Sequence, residues 1–211
     1  MQLNKFVFSP LQVNTYLLND EKGNCAIIDC SCYNRDEFSQ MEKFINSKKL
    51  NPVLLLNTHC HLDHIFGNNM MLEKFKLKTY SHLLEEDNRK NSLSHAMLFG
   101  LSMEKPPECE GFISDKQRIF FGDSSLLALH VPGHTAGSLA FYSEEDGCVF
   151  TGDALFAGSI GRSDLHGGNF KTLIESIKNQ LLTLPPETVV YPGHGPQTSI
   201  KKEMSSNPYL T

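Results

Sequence analysis

The sequence predicts an α/β domain with an internal duplication. Strand-like and helix-like segments alternate along the 211 residues, and the alternation runs through twice. Short, wholly apolar runs such as Val53-Leu54-Leu55-Leu56 have the composition of strands covered on both faces. With 40% hydrophobic and 20% charged residues, the chain has the apolar content of an ordinary globular domain. A domain of this size hides roughly 70% of the surface its unfolded chain exposes. No Pro-, Gly- or Ser-rich linker interrupts it, so residues 1–211 are expected to form one domain.

In chain order, residues 3–10, 13–20 and 25–30 are expected as strands separated by turn-forming Asn, Asp and Gly. Residues 35–49 place Phe38, Met41, Phe44 and Ile45 at helical spacing and predict the first amphipathic helix. Pro52 is expected to end the connecting segment before a buried strand over residues 53–56. A helix over 65–75, a strand over 77–81 and a helix over 82–98 follow, and Pro106-Pro107 makes residues 104–110 a loop. The second half repeats the scheme with strands over 118–121, 126–131, 139–142 and 148–151. The strongest helix spans 170–182, with Phe170, Leu173, Ile174, Ile177 and Leu181 on one stripe. A strand over 188–191 and a short helix over 200–205 close the chain. Met97, Leu98, Phe99 and Met103 are expected to fill core, with a substrate lid as the alternative.

Charge and composition exclude several partners. Lys and Arg total 19 against 24 Asp and Glu, a net charge of −5 that is wrong for neutralising phosphates, so nucleic acid is not expected as a partner. No apolar run approaches the roughly 18 residues of a membrane helix, and the opening MQLNKFVFSP lacks the apolar core of a secretory signal. The expected compartment is the cytoplasm, where the six cysteines stay as thiols. Cys30 and Cys32 form only C-x-C, too short a motif to be a metal site by itself.

The chemistry lies at strand ends. VLLLNT leads to His59, LLALHVPG to His134, CVFTG to Asp153 and TVVYPG to His194, with the tripeptide Pro-Gly-His repeated at 132–134 and 192–194. Loops at one sheet edge are where a rigid scaffold meets solvent. Within His59-Cys60-His61-Leu62-Asp63-His64, residues two apart in an extended chain point the same way, so His59 and His61 can chelate one cation while Cys60 faces elsewhere. Asp63 and His64 are adjacent and converge only if the chain leaves the extended form there, which suits a second, neighbouring cation. His82, His95 and His130 have no partner spacing and are expected to be ordinary surface or hydrogen-bonded histidines.

THCHLDH, PGHTAGS, TGDALF and YPGHG, in that order, resemble the metallo-β-lactamase superfamily. The resemblance implies a four-layer αββα sandwich with two cations at one edge. It assigns His59, His61 and His134 to the first metal, Asp63, His64 and His194 to the second, and Asp153 to both. Imidazole mixed with carboxylate suits zinc (Zn2+, two per chain) best, and iron or manganese is chemically acceptable. The implied activity is hydrolysis of a small-molecule substrate by a water that two cations acidify, with Asp63 orienting it as a catalytic group.

The segment Gly161-Arg162-Ser163-Asp164-Leu165-His166-Gly167-Gly168 is similar to the G-R-[ST]-D-L-P-G-G stretch of small glyoxalase II-like (hydroxyacylglutathione hydrolase-like) enzymes, with His166 in place of Pro. On that likeness Arg162 is the candidate for holding a substrate carboxylate, and a local ion pair with Asp164 is the alternative. The expected substrate is a thioester such as a 2-hydroxyacyl-glutathione. The C-terminal helical segment of the longer glyoxalase II enzymes has no counterpart here, so a more open pocket is expected. Two rival functions are a mononuclear iron persulfide (sulfur) dioxygenase and a non-catalytic module stapled by its metals. Structural zinc sites are usually closed and cysteine-rich, unlike this His/Asp set.

Overall fold

The computed structural model describes all 211 residues. Two six-stranded sheets lie face to face, each covered on its outer side by helices, which is the expected αββα arrangement. The first sheet runs in chain order through β1 (Gln2–Phe8), β2 (Val13–Asn19), β3 (Asn24–Ile28), β4 (Asn51–Leu56), β5 (Thr79–Ser81) and β6 (Gly111–Phe112). The second is built from β7 (Arg118–Phe121), β8 (Ser124–His130), β9 (Leu139–Ser143), β10 (Cys148–Gly152), β13 (Val189–Pro192) and β14 (Thr198–Ser199), ordered β14-β13-β10-β9-β8-β7. A small hairpin, β11 (Leu155–Phe156) and β12 (Ser159–Ile160), follows β10.

Alternation explains why the central strands are apolar on both faces. In β3, Ala26 and Ile28 join Tyr16, Leu18, Leu56, Phe141 and Phe150 between the sheets, while Cys25 and Ile27 face outward to Phe38, Met41 and Ile45. Those outer residues lie on α1 (Arg35–Ser47), whose N-cap Asn34 accepts a 2.9 Å bond from the Glu37 amide. On the opposite outer face Leu129, Val149 and Val190 meet Leu173 of α4 (Phe170–Ser176) and Ile200 of α5 (Ile200–Ser206). Helices α2 (Asn68–Phe75) and α3 (Glu86–Leu98) complete the first half. No helix is long and apolar enough to cross a membrane. All six cysteines are free, five of them buried and Cys109 half-buried.

Several expectations need correction. Pro52 does not end an element: it lies inside β4, where the register against β3 shifts between Cys25 and Ala26. Because β5 pairs only with Leu55 and Leu56, Pro52 escapes a central ladder, and the irregularity absorbs its missing N–H. The helix expected over 65–75 starts only at Asn68, after a 3-10 turn at Leu62–His64, and the helix over 170–182 loosens into a π turn at Ile177–Leu181. Met97, Leu98 and Phe99 are not core, being 74%, 83% and 59% exposed. The face of α3 that is buried carries Asn88, Arg89, Ser92 and Ala96, so the apolar side chains of its last turn project outward. Only Met103 packs inward, against a small cluster of Leu62, Phe66 and Ala96.

Candidate metal centre

Strand β4 delivers the chain through Asn57 and Thr58 to His59, and the extended stretch that follows points His59 and His61 to one side, as alternation requires. Their rings meet that of His134, whose Nε2 lies 3.2 Å from His59 Nε2 and 2.9 Å from His61 Nδ1. Cys60 is turned away and buried, its amide donating to Glu85 Oε2 at 2.8 Å. The 3-10 turn then swings Asp63 and His64 into the same space. His194 Nε2 stands 3.5 Å from both Asp63 Oδ2 and Asp153 Oδ2, and His64 Nε2 stands 3.3 Å from Asp153 Oδ1. Asp153 Oδ2 is also 3.7 Å from His134 Nε2, so this one carboxylate faces both imidazole groups. Ligand atoms of His59, His61 and His134, and of Asp63, His64 and His194, lie within 4.8 Å of one another in each set.

These residues fit divalent cations on grounds of their own packing. His64 Nε2 and Asp153 Oδ1 are buried and have no hydrogen-bond partner, an arrangement that costs free energy unless an ion accepts both. Burial, followed by the adjacent imidazoles, drives His59 well down and His61 to about 3, which leaves neutral rings with lone pairs to share. Burial alone would raise Asp63 and Asp153, but His64 and the other imidazoles outweigh it and hold both low. His64 and His194 move the other way: burial lowers them, and the surrounding carboxylates outweigh that and raise them. The side of the pocket around Asp63 and Asp153 therefore favours positive charge.

Outer partners aim the rings, and the sequence reading missed them. Asp29 Oδ2 bonds His64 Nδ1 at 2.9 Å and Thr58 Oγ1 at 2.7 Å, while Oδ1 accepts from the Thr58 amide at 2.8 Å. The Arg162 carbonyl takes His134 Nδ1 at 2.7 Å. With Nδ1 engaged, Nε2 of each ring is turned to the centre. Asp29 directly follows β3, so the strand-end criterion that singled out Asp153 also applies to it. Asn14 of β2 holds the His194 loop through Pro192 O at 2.9 Å and Gly195 O at 3.0 Å. Gly193 is obligatory there, because a Cβ would collide with Asp153 Oδ1 and His64 Cε1.

Strand β8 stops at His130, and His134 lies in the turn that follows, a strand-end loop. Of the two alternatives for the Arg162 side chain, the structure holds the local pair: its guanidinium forks onto Asp164 at 2.8 and 2.7 Å. His82 and His130 are hydrogen-bonded, as expected, His82 to the Leu84 amide at 3.2 Å and His130 to the Ala136 carbonyl at 2.9 Å, and their rings stack with centroids 4.4 Å apart. His166 pairs with Asp87 at 2.8 Å. A cavity of about 630 Å³ opens over the cluster, reaching His61, Asp63, His134, Asp153 and His194.

Imidazole and carboxylate groups gathered at one edge of an αββα sandwich form a candidate divalent-metal centre. Residues 8–194 match the metallo-beta-lactamase superfamily, and the chain belongs to it. It is 37% identical over 216 residues to the probable metallo-hydrolase YqgX of Bacillus subtilis, covering 100% of this chain and 98% of that protein. It is 34% identical over 219 residues to the hydroxyacylglutathione hydrolase GloC of Haemophilus influenzae, with the same coverage of 100% and 98%. Among solved structures it is similar to TTHA1623 in a di-iron-bound form, at 37% identity and a TM-score of 0.89 over 98% of this chain and 100% of that one.

Proposed function

We propose that the protein hydrolyses thioesters, with 2-hydroxyacyl-glutathiones as the first class to test, at a binuclear centre. The observation that carries this reading is the position of Asp153 between two imidazole sets, each with its own ligand geometry. The likeness to GloC supports the thioester, and the likeness to a di-iron protein makes iron a candidate beside zinc. His59, His61 and His134 would hold one ion, Asp63, His64 and His194 the other, and Asp153 both. The chemistry the ions supply when bound is Lewis acidity, which acidifies water and polarises an acyl carbonyl.

The chain's own groups do the rest. Asp63 faces the cavity and is held low in pKa, so it stays a carboxylate that can orient a water by accepting its hydrogen bond. Asp29 and the Arg162 carbonyl fix the imidazoles, so no ring has to reorient during turnover. Metal-analysed protein should turn over S-lactoylglutathione, and Asp63→Ala should lower kcat by about 10²-fold or more while the far-UV spectrum is kept. One iron per chain, with oxygen uptake on glutathione persulfide and no thioester turnover, would overturn this function in favour of a dioxygenase.

A further inference from the structure

The lining of the cavity is mixed. Beside the imidazoles and carboxylates of the centre, it holds six apolar side chains, Leu11, Leu62, Leu98, Phe99, Phe156 and Leu165, together with Asn88, His95, Arg162 and His166. The apolar ones come from five separate parts of the chain: the β1–β2 turn, the 3-10 turn at Leu62, the end of α3, the β11–β12 hairpin and the loop after β12. Leu98 and Phe99 are 83% and 59% exposed, and Met97 beside them is also exposed, so a large apolar patch is continuous with a polar reaction centre. No lysine lines the cavity, and its one guanidinium, Arg162, is already matched by Asp164. A carrier's carboxylates find no unpaired fixed cation there, whereas a hydrocarbon chain leading away from the reacting carbonyl finds walls to lie against.

Building on the thioester function, we infer that the site selects thioesters whose acyl chain is apolar and longer than lactoyl, with Leu98 and Phe99 as the residues that set this preference. Burying one methylene is worth about a fourfold gain in binding. Because the last turn of α3 makes no core contacts through these side chains, replacing them leaves the packed interior alone.

The test uses glutathione thioesters of lactate, butyrate, hexanoate and octanoate with metal-loaded protein, together with calorimetry of S-methyl- and S-octylglutathione, which have no thioester bond to hydrolyse. The expected result is a kcat/KM that climbs at least tenfold from butyryl to octanoyl. S-octylglutathione should bind at least tenfold more tightly than S-methylglutathione, with a negative heat-capacity change. In the double variant Leu98→Ser, Phe99→Ser both slopes should flatten. Thioester turnover without any dependence on chain length would overturn the apolar acyl site and leave thioester hydrolysis standing. Chain-length-dependent binding with no thioester cleaved would do the reverse.

Discussion

Glu85 is fully buried beside the centre without touching it, and its replacement by Gln gives a sharp test of how the ligand loops are held. Oε2 accepts from the Cys60 amide at 2.8 Å and from Asn88 Nδ2 at 3.1 Å, and Oε1 from Thr135 Oγ1 at 2.6 Å and the Gly137 amide at 2.8 Å. One carboxylate thus ties the His59–His61 segment to the loop that carries His134. Glu85→Gln keeps the shape but turns one oxygen into a donor. Whichever way the amide sits, one backbone N–H then faces another donor in a buried place, costing about 1–3 kcal/mol. The second lost bond brings the total to about 2–4 kcal/mol, with the Thr135 hydroxyl partly compensated by Ser138 at 2.7 Å. Urea denaturation of metal-free protein reads this directly as a midpoint lowered by about 1 M, at a slope of about 2–3 kcal/mol per M. The chain has no Trp, so far-UV circular dichroism is the signal. Metal affinity should fall about 10–100-fold, as for other groups that orient ligands. A parental midpoint with parental metal affinity would refute the clamp, and Ser94→Ala on the exposed side of the following helix α3 serves as the neutral comparison.

Asp29→Asn should weaken metal binding about 10–100-fold in a chelator competition, because an amide can offer its NH2 where His64 Nδ1 needs an acceptor; unchanged affinity would remove Asp29 from the centre. Glu86, drawn down to about 2 chiefly by its paired bonds with Arg89, contributes stability that is fully present above pH 4.5 and lost as pH falls towards 2. Glu86→Gln should therefore cost about 1 kcal/mol at pH 7, the pair being partly in solvent, and the gap should close between pH 5 and pH 2 in urea titrations of metal-free protein. A gap independent of pH would place the effect elsewhere. Chelation should lower the thermal midpoint by about 5–10 °C, since an ion at a hundred times its Kd adds about 2.7 kcal/mol to the folded state. An unshifted midpoint in metal-analysed protein would show that the folded chain holds no ion at this cluster.

The strands and the ligand cluster were legible because both depend on local regularities. A wholly apolar run such as Leu54-Leu55-Leu56 has few homes other than a strand between two layers, and a His-x-His step in an extended chain aligns two rings whatever surrounds it. What escaped depends on distant partners. Glu85 carries no pattern of its own, and its role exists only because residues near 60 and 136 converge on it. The two-residue strands β6, β11, β12 and β14 are too short for alternation to register. The end of α3 misled for a related reason: Leu98 and Phe99 have the hydropathy of core, and hydropathy does not record that the helix buries Asn88, Arg89 and Ser92 instead.

The two-sheet arrangement has a chemical consequence. His59, His61, Asp63 and His64 come from the end of a strand in the first sheet, and His134, Asp153 and His194 from loops of the second. Neither half holds a complete ligand set: the first three-imidazole group needs His134, and the group around Asp63 needs His194. The centre therefore spans the seam where the edges of the two sheets meet, and its geometry depends on how the sheets are docked. That docking is fixed by large side chains from both, Leu56 and Ile28 against Phe141 and Phe150. Tyr16 adds a direct link, its hydroxyl donating 2.7 Å to the carbonyl of Pro192, two residues before His194. A core substitution at this seam moves one half of the ligand set relative to the other, so packing far from the cavity bears on metal affinity in a way that the ligand motifs alone do not reveal.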